Sequence, residues 1–183
     1  MKRLWLCVAC SLVLTSCVPV DDFGKYWDKG VVDPALEGSW QKLGCAGESP
    51  DGTSGRDGWR FTKNGANYSL QATNDEEITS ARTLRVGRQL LLMQRDAVSP
   101  KDGLLTRYEV HGRTLNAYVL DHAAAADFLE QRHPNAANIR INKDDGRYVV
   151  IGTFDDEVFR ILSEFVNDPA YWILMCQYRK TSK

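Results

Sequence analysis

Trp59-Arg60-Phe61-Thr62-Lys63-Asn64-Gly65-Ala66-Asn67-Tyr68-Ser69-Leu70-Gln71 carries the fold class of this chain. Large apolar residues fall at alternate positions on either side of Asn64-Gly65. Side chains on a strand point to opposite faces in turn, so this period marks two half-buried strands. Asn-Gly between two such runs is a strong short-range signal for a hairpin. The chain is therefore expected to build antiparallel sheet from local pairs.

The pattern repeats outward from that hairpin. A short strand at 39–43 carries Trp40, and the stretch 44–58, rich in Gly, Ser, Pro and Asp, reads as a long polar loop. Strands at 83–86 and 88–94 flank Gly87, and strands at 104–110 and 113–120 flank His111-Gly112. A further pair, 139–142 and 147–151, brackets Lys143-Asp144-Asp145-Gly146. The last run, 171–178, is almost continuously apolar and is expected to be covered on both faces. Asp121 can cap a helix that runs to about Arg132 and ends before Pro134. Thr153 with Asp156 makes a capping-box-like start to a second helix. Val158, Phe159, Leu162, Phe165 and Val166 form its apolar stripe, and Asp168-Pro169 stops it. The expected fold class is mainly β (α+β). Roughly eight antiparallel strands joined by short turns suggest a closed or nearly closed barrel with one or two accessory helices. If the strand carrying Trp40 pairs with the last strand, Cys45 can meet Cys176.

Before the barrel, Lys2 and Arg3 precede an apolar stretch from Leu4 to Leu14, and small residues then lead to Cys17. That stretch is shorter than the ~20 apolar residues a spanning helix needs, and it has the flanks of a secretory signal. Leu14-Thr15-Ser16-Cys17 resembles the lipobox of bacterial lipoprotein precursors. The resemblance implies cleavage after residue 16 and a diacylglyceryl group on the Cys17 sulfur, with palmitate-type chains holding the protein on a membrane. The alternative is an ordinary signal peptide with a coincidental cysteine. Val18 stands where many inner-membrane lipoproteins carry Asp. By that likeness the expected address is the cell envelope, lipid-anchored, outer membrane favoured, with the domain facing the periplasm. The expected organisation is a signal peptide at 1–16, the acylated cysteine and a flexible tether at 17–36, and one β-rich domain at 37–183. Within the tether Phe23, Tyr26 and Trp27 fall on one helical face. They can rest at a lipid interface or pack against the domain, and packing is the preferred reading.

The 183 residues contain 23 basic and 24 acidic side chains, and the leader removes Lys2 and Arg3. The scattered basic residues offer no stripe for nucleic acid. Of five cysteines, Cys7 and Cys10 leave with the leader and Cys17 is acylated, so Cys45 and Cys176 remain. Two thiols in an oxidising compartment suggest one disulfide; two separately buried thiols are the alternative.

A second likeness lies at the first barrel strand. Leu36-Glu37-Gly38-Ser39-Trp40 resembles the Gly-x-Trp signature of lipocalins and related calycin barrels. The resemblance implies a basic residue near the chain's end across the tryptophan face, a role Arg179 can fill. Another antiparallel α+β lipoprotein domain is the competing reading, because the helix after residue 121 interrupts the hairpin series. Trp40, Trp59, Phe61, Tyr68 and Trp172 are candidate walls for a small apolar ligand, and they serve equally as a filled core.

No catalytic pattern stands out. There is no G-x-S-x-G elbow, no P-loop and no EF-hand spacing. His111, His122 and His133 are too far apart to read as a motif and are expected as exposed or capping residues. No cofactor and no metal are expected. The expected role is a non-catalytic binding or accessory module, possibly for a small apolar ligand; the alternatives are a scaffold for an envelope protein complex and, less favoured, an envelope hydrolase.

Overall fold

The computed structural model describes residues 17–46, 57–73, 78–95, 103–143 and 147–182. The leader with Leu14-Thr15-Ser16, most of the 44–58 loop and the Asp144-Asp145-Gly146 turn lie outside the described residues. Eight antiparallel strands close on themselves: β2 (Gly38–Cys45), β3 (Gly58–Asn64), β4 (Asn67–Ala72), β5 (Ile78–Val86), β6 (Gln89–Arg95), β7 (Gly103–His111), β8 (Thr114–Leu120) and β11 (Trp172–Ser182). Each pairs with the next, β6 with β7 included, and β11 returns to pair with both β8 and β2. The fold is thus a mainly β closed barrel with accessory helices, as the alternation predicts.

Three hairpins at one end share a two-residue turn that begins with glycine. Gly65, Gly87 and Gly112 have φ of 60°, 59° and 60°, while the residues after them stay at negative φ. That is the pattern of a type II′ turn, whose twist matches the flanking strands. The first of these turns is therefore centred on Gly65-Ala66, one residue beyond the Asn-Gly centre that the motif suggests, and Asn64 pairs with Asn67. Gly58 has a different task. A Cβ there would lie 2.1 Å from the Trp40 carbonyl oxygen, so only glycine lets β3 approach β2.

Alternation sends one face of the barrel strands inward. Trp40, Phe61, Tyr68, Leu70, Ala81, Leu92, Tyr108, Leu115, Cys176 and Tyr178 are all buried in an inner cluster. Cys45 and Cys176 are direct register partners of the closing pair and form a disulfide. Lys180, not Arg179, crosses the tryptophan face: its Nζ lies 5.0 Å from the Trp40 ring and donates to the Ala35 carbonyl at 3.2 Å. The reason is parity, since Cys176, Tyr178 and Lys180 share the inner face while Arg179 is exposed.

A second core lies outside the barrel. It is built by β1 (Val18–Asp22), α1 (Gly24–Lys29), α2 (His122–Arg132), β9 (Ile139–Asn142), β10 (Tyr148–Thr153) and α3 (Asp156–Phe165). These pack on outward residues of the barrel wall such as Leu84, Val86, Leu91, Met93, Leu105, Leu120 and Trp172. The stretch expected as a flexible tether is part of this core. β1 pairs antiparallel with β7 and parallel with β10, and Val18 and Val20 are 1% exposed. Phe23, Tyr26 and Trp27 are buried, with Tyr26 stacked on Phe159 at 5.1 Å and the Arg95 guanidinium 4.1 Å from Trp27. Full burial of a large apolar side chain contributes about 1.5–3 kcal/mol, so three aromatics hold this segment down. The cap of α3 also differs from expectation. Asp155 accepts from the Val158 N–H at 2.9 Å, whereas Thr153 ends β10. Asp121 caps α2 as predicted, accepting from Ala124 at 3.1 Å.

The final strand is not covered on both faces. A bulge between Leu174 and Cys176 switches its faces, so Trp172 opposite Leu120 joins the outer core and Cys176 faces inward. Ile173 and Leu174 are left 48% and 40% exposed.

The Cys45–Cys176 bridge spans 131 residues, for which chain entropy gives about 4–5 kcal/mol. The Cys45→Ala/Cys176→Ala variant is expected to keep the barrel, because the β2–β11 ladder remains, and to lose about 3–5 kcal/mol in urea unfolding. A loss below about 1 kcal/mol would mean that the strand pairing alone closes the barrel.

Candidate functional site

Cys17 sits in a fork of the barrel wall. β8 pairs with β7 only as far as Tyr118 opposite Arg107, and from there β1 takes the same edge of β7, with Val18 opposite Leu105. Cys17 occupies the gap. Its residue is 6% exposed and its Sγ lies 3.5 Å from the Thr106 hydroxyl. Burial pushes the thiol's pKa up, against the opposing pull of the Thr106 hydrogen bond. A thiol held protonated is a poor nucleophile, so the folded fork offers no cysteine chemistry.

His122 opens α2 beside this fork. Its Nδ1 accepts the Val149 N–H at 3.1 Å, tying α2 to β10. Burial lowers its pKa, outweighing the Cys17 backbone and the Asp121 carboxylate, which pull the other way. The other histidines stand elsewhere: His111 contacts Glu109 at 3.3 Å and His133 contacts Glu164 at 2.9 Å. Among the described residues, no group of three or more His, Cys, Asp and Glu is placed to hold a metal ion.

The barrel interior divides into two halves. At the end that carries the glycine turns, Trp40, Phe61 and Tyr68 are between 0% and 4% exposed, so these candidate wall residues are packed as core. Residues entering β2 plug this end. The Tyr68 hydroxyl donates to the Asp33 carbonyl and the Tyr108 hydroxyl to Asp33 Oδ2, both at 2.8 Å. Thr83 meets the Tyr108 hydroxyl at 2.8 Å. Burial, with the charges of Glu37 and Asp33, pushes Tyr68 up to about 12, so its phenol stays a donor. Every polar group in this plug has a partner in the fold. Toward the opposite, open end the inward residues Trp59, Ala72, Gln94, Leu104 and Ala117 are half-buried. Trp59 donates from Nε1 to the Tyr178 hydroxyl at 3.2 Å. Trp59 is therefore the one candidate wall residue left facing an accessible part of the barrel, Trp172 being in the outer core.

Two open grooves mark the exterior. One, of about 590 Å³, crosses β1, β9 and β10 along Pro19, Arg140, Tyr148 and Val150. The other, of about 680 Å³, lies between α2 and α3 over Phe128, Phe165 and Tyr171. On the barrel wall, Arg107 is buried between Tyr118 and Trp172 and bonds Gln89 and Glu109. Burial raises the Glu109 carboxyl, but hydrogen bonds from His111 and Tyr118 and the Arg107 charge prevail and hold it below its usual range. That carboxylate is saturated by partners and serves to join β7 to β8.

Neither the alternating strands nor the lipobox pointed to the fork, because it arises where strands distant in sequence part company. Comparison with family models, with curated proteins and with solved structures gives no match. The class is therefore defined by the coordinates alone: a closed eight-stranded antiparallel barrel wrapped by a β–α outer layer.

His122 gives a pH signature. Its depressed pKa means that its contribution is full above the unfolded value of about 6.5 and is lost as pH falls through the folded value. Urea unfolding at pH 7.5 and 5.5 is expected to show a smaller acid loss for His122→Asn, whose Oδ1 can still accept the Val149 N–H. Equal losses in both proteins would place the acid sensitivity elsewhere.

Proposed function

We propose that this protein is a lipid-anchored module of the bacterial cell envelope, acylated at Cys17 and facing the periplasm, with the outer membrane the favoured location. Its barrel serves binding or assembly rather than catalysis. The observation that carries the anchor is positional. Every described element lies at or after Cys17, and β1 begins at the next residue. Cleavage before Cys17 would leave this fold intact and put the modified sulfur at its edge. Because burial makes the folded thiol unreactive, acyl transfer belongs to a stage before β1 docks on β7.

The ligand reading rests on the open half of the barrel. Half-buried Trp59, with Ala72, Leu104 and Ala117, offers a shallow apolar cup for a small apolar ligand, whereas the packed closed half offers none. A scaffold role is the second reading. It is favoured by the groove between α2 and α3, whose aromatic floor is open to solvent.

Two measurements test these readings. Replacing Cys17 by Ala is expected to abolish palmitate labelling and move the protein from the membrane pellet to the soluble fraction; labelling that survives would refute the anchor. Titration with the apolar probe N-phenyl-1-naphthylamine is expected to saturate at one site, with affinity reduced about 5–10-fold, or about 1–1.4 kcal/mol, in Trp59→Ala. No saturable signal from the unaltered protein would dismiss the cup and leave the outer groove as the binding surface.

A further inference from the structure

The residue that would carry the lipid is built into the fold, and this has a geometric consequence. Val18, one residue from Cys17, is already paired with Leu105 and is 1% exposed. One residue of extended chain spans about 3.3 Å. Acyl chains on Cys17 would thus hold the β7–β8 fork within a residue or two of the lipid headgroups, with no spacer to let the barrel drift away or turn freely.

The same end of the barrel exposes apolar side chains that folding leaves uncovered. Val119 of β8 directly follows Tyr118, the last residue paired with β7 at the fork, and Val119 is the register partner of Ile173. Ile173 is therefore two to three strand spacings, roughly 10–15 Å, from Cys17. Ile173 and Leu174 are 48% and 40% exposed, in a run whose composition suits a buried strand. Tyr171, half-buried, and Trp172 precede them. Apolar side chains flanked by amphipathic aromatics suit a membrane–water boundary.

Resting on the acyl anchor at Cys17, we propose that the open rim of the barrel around Ile173 and Leu174 is a bilayer-contact surface. The domain lies flush on the membrane with its open end toward the lipid and its glycine turns pointing away. A lipid surface is the occupant because the anchor segment, with its apolar stretch from Leu4 to Leu14, joins the fold at this end. An apolar ligand reaching the cup by Trp59 would then arrive from the bilayer rather than through water.

The test uses the full lipoprotein extracted from membranes and reconstituted in phosphatidylcholine–phosphatidylglycerol vesicles. An environment-sensitive fluorophore is placed at Ile173→Cys or, at the far end, at Asn64→Cys in the exposed first turn. Quenching by spin-labelled lipid is expected to be at least threefold stronger at 173 than at 64, with blue-shifted emission at 173 alone. Equal, water-like signals at both positions in protein that still sediments with vesicles overturn the contact surface while leaving the anchor intact. Shielding at 173 that grows with protein concentration and ignores the spin-labelled lipid assigns the rim to a second copy of the chain and also overturns it. Protein that fails to sediment removes the anchor, and the proposal with it.

Discussion

Closure of β2 on β11 is the constraint on which the molecule depends. A strand at the edge of a sheet leaves a row of backbone donors and acceptors unpaired, and a barrel removes both edges at once. β11 reaches its place after an excursion through two helices and two strands, and it must then fit between β8 and β2. It does so with bulges against both neighbours, near Leu174, Gln177 and Lys180. The disulfide locks the register at Cys45 and Cys176, and the Lys180 ammonium over Trp40 holds the same seam further along. With the seam shut, the inner cluster is dry; with it open, Trp40 and Tyr178 would face water.

The excursion before β11 is not an ornament on the barrel. β1, α1, α2, β10 and α3 cover wall residues that a bare barrel would expose, including Leu91, Met93 and Leu105. These strands have apolar side chains on both faces, so the barrel needs an outer layer as much as the layer needs the barrel. The fork at Cys17 follows from that mutual cover. β8 turns away toward α2, and β1 fills the vacated edge of β7.

The polar chemistry within the fold is inward-looking. Asp33, Tyr68, Thr83 and Tyr108 bond to one another, and Glu109 is held by Arg107, Tyr118 and His111. Groups satisfied in this way fix geometry; they are not free to move protons onto a substrate. What the molecule presents outward is apolar and aromatic: Trp59 at the mouth, Phe128 in the outer groove, Ile173 and Leu174 on the rim. That distribution suits binding to surfaces and to apolar molecules.

The hairpins were legible in the sequence because they are local. Period-two alternation in 59–71, glycine at each turn and an acidic cap before α2 act over a few residues and need no distant partner. The Cys45–Cys176 pairing followed once closure was assumed. Other features depended on contacts that no local pattern encodes. Proline, glycine and aspartate between Val18 and Ala35 read as a tether, yet Val18, Phe23 and Trp27 are buried because β7 and β10 supply edges and α3 supplies a face. Trp172 looked like a barrel wall residue until a bulge reversed the faces of β11, and the uniform apolar run 171–178 gave no sign of where that reversal falls. Local patterning thus determined the strands and their turns. Tertiary packing decided which faces meet, because burial is settled by the partner across the interface and not by the residue alone.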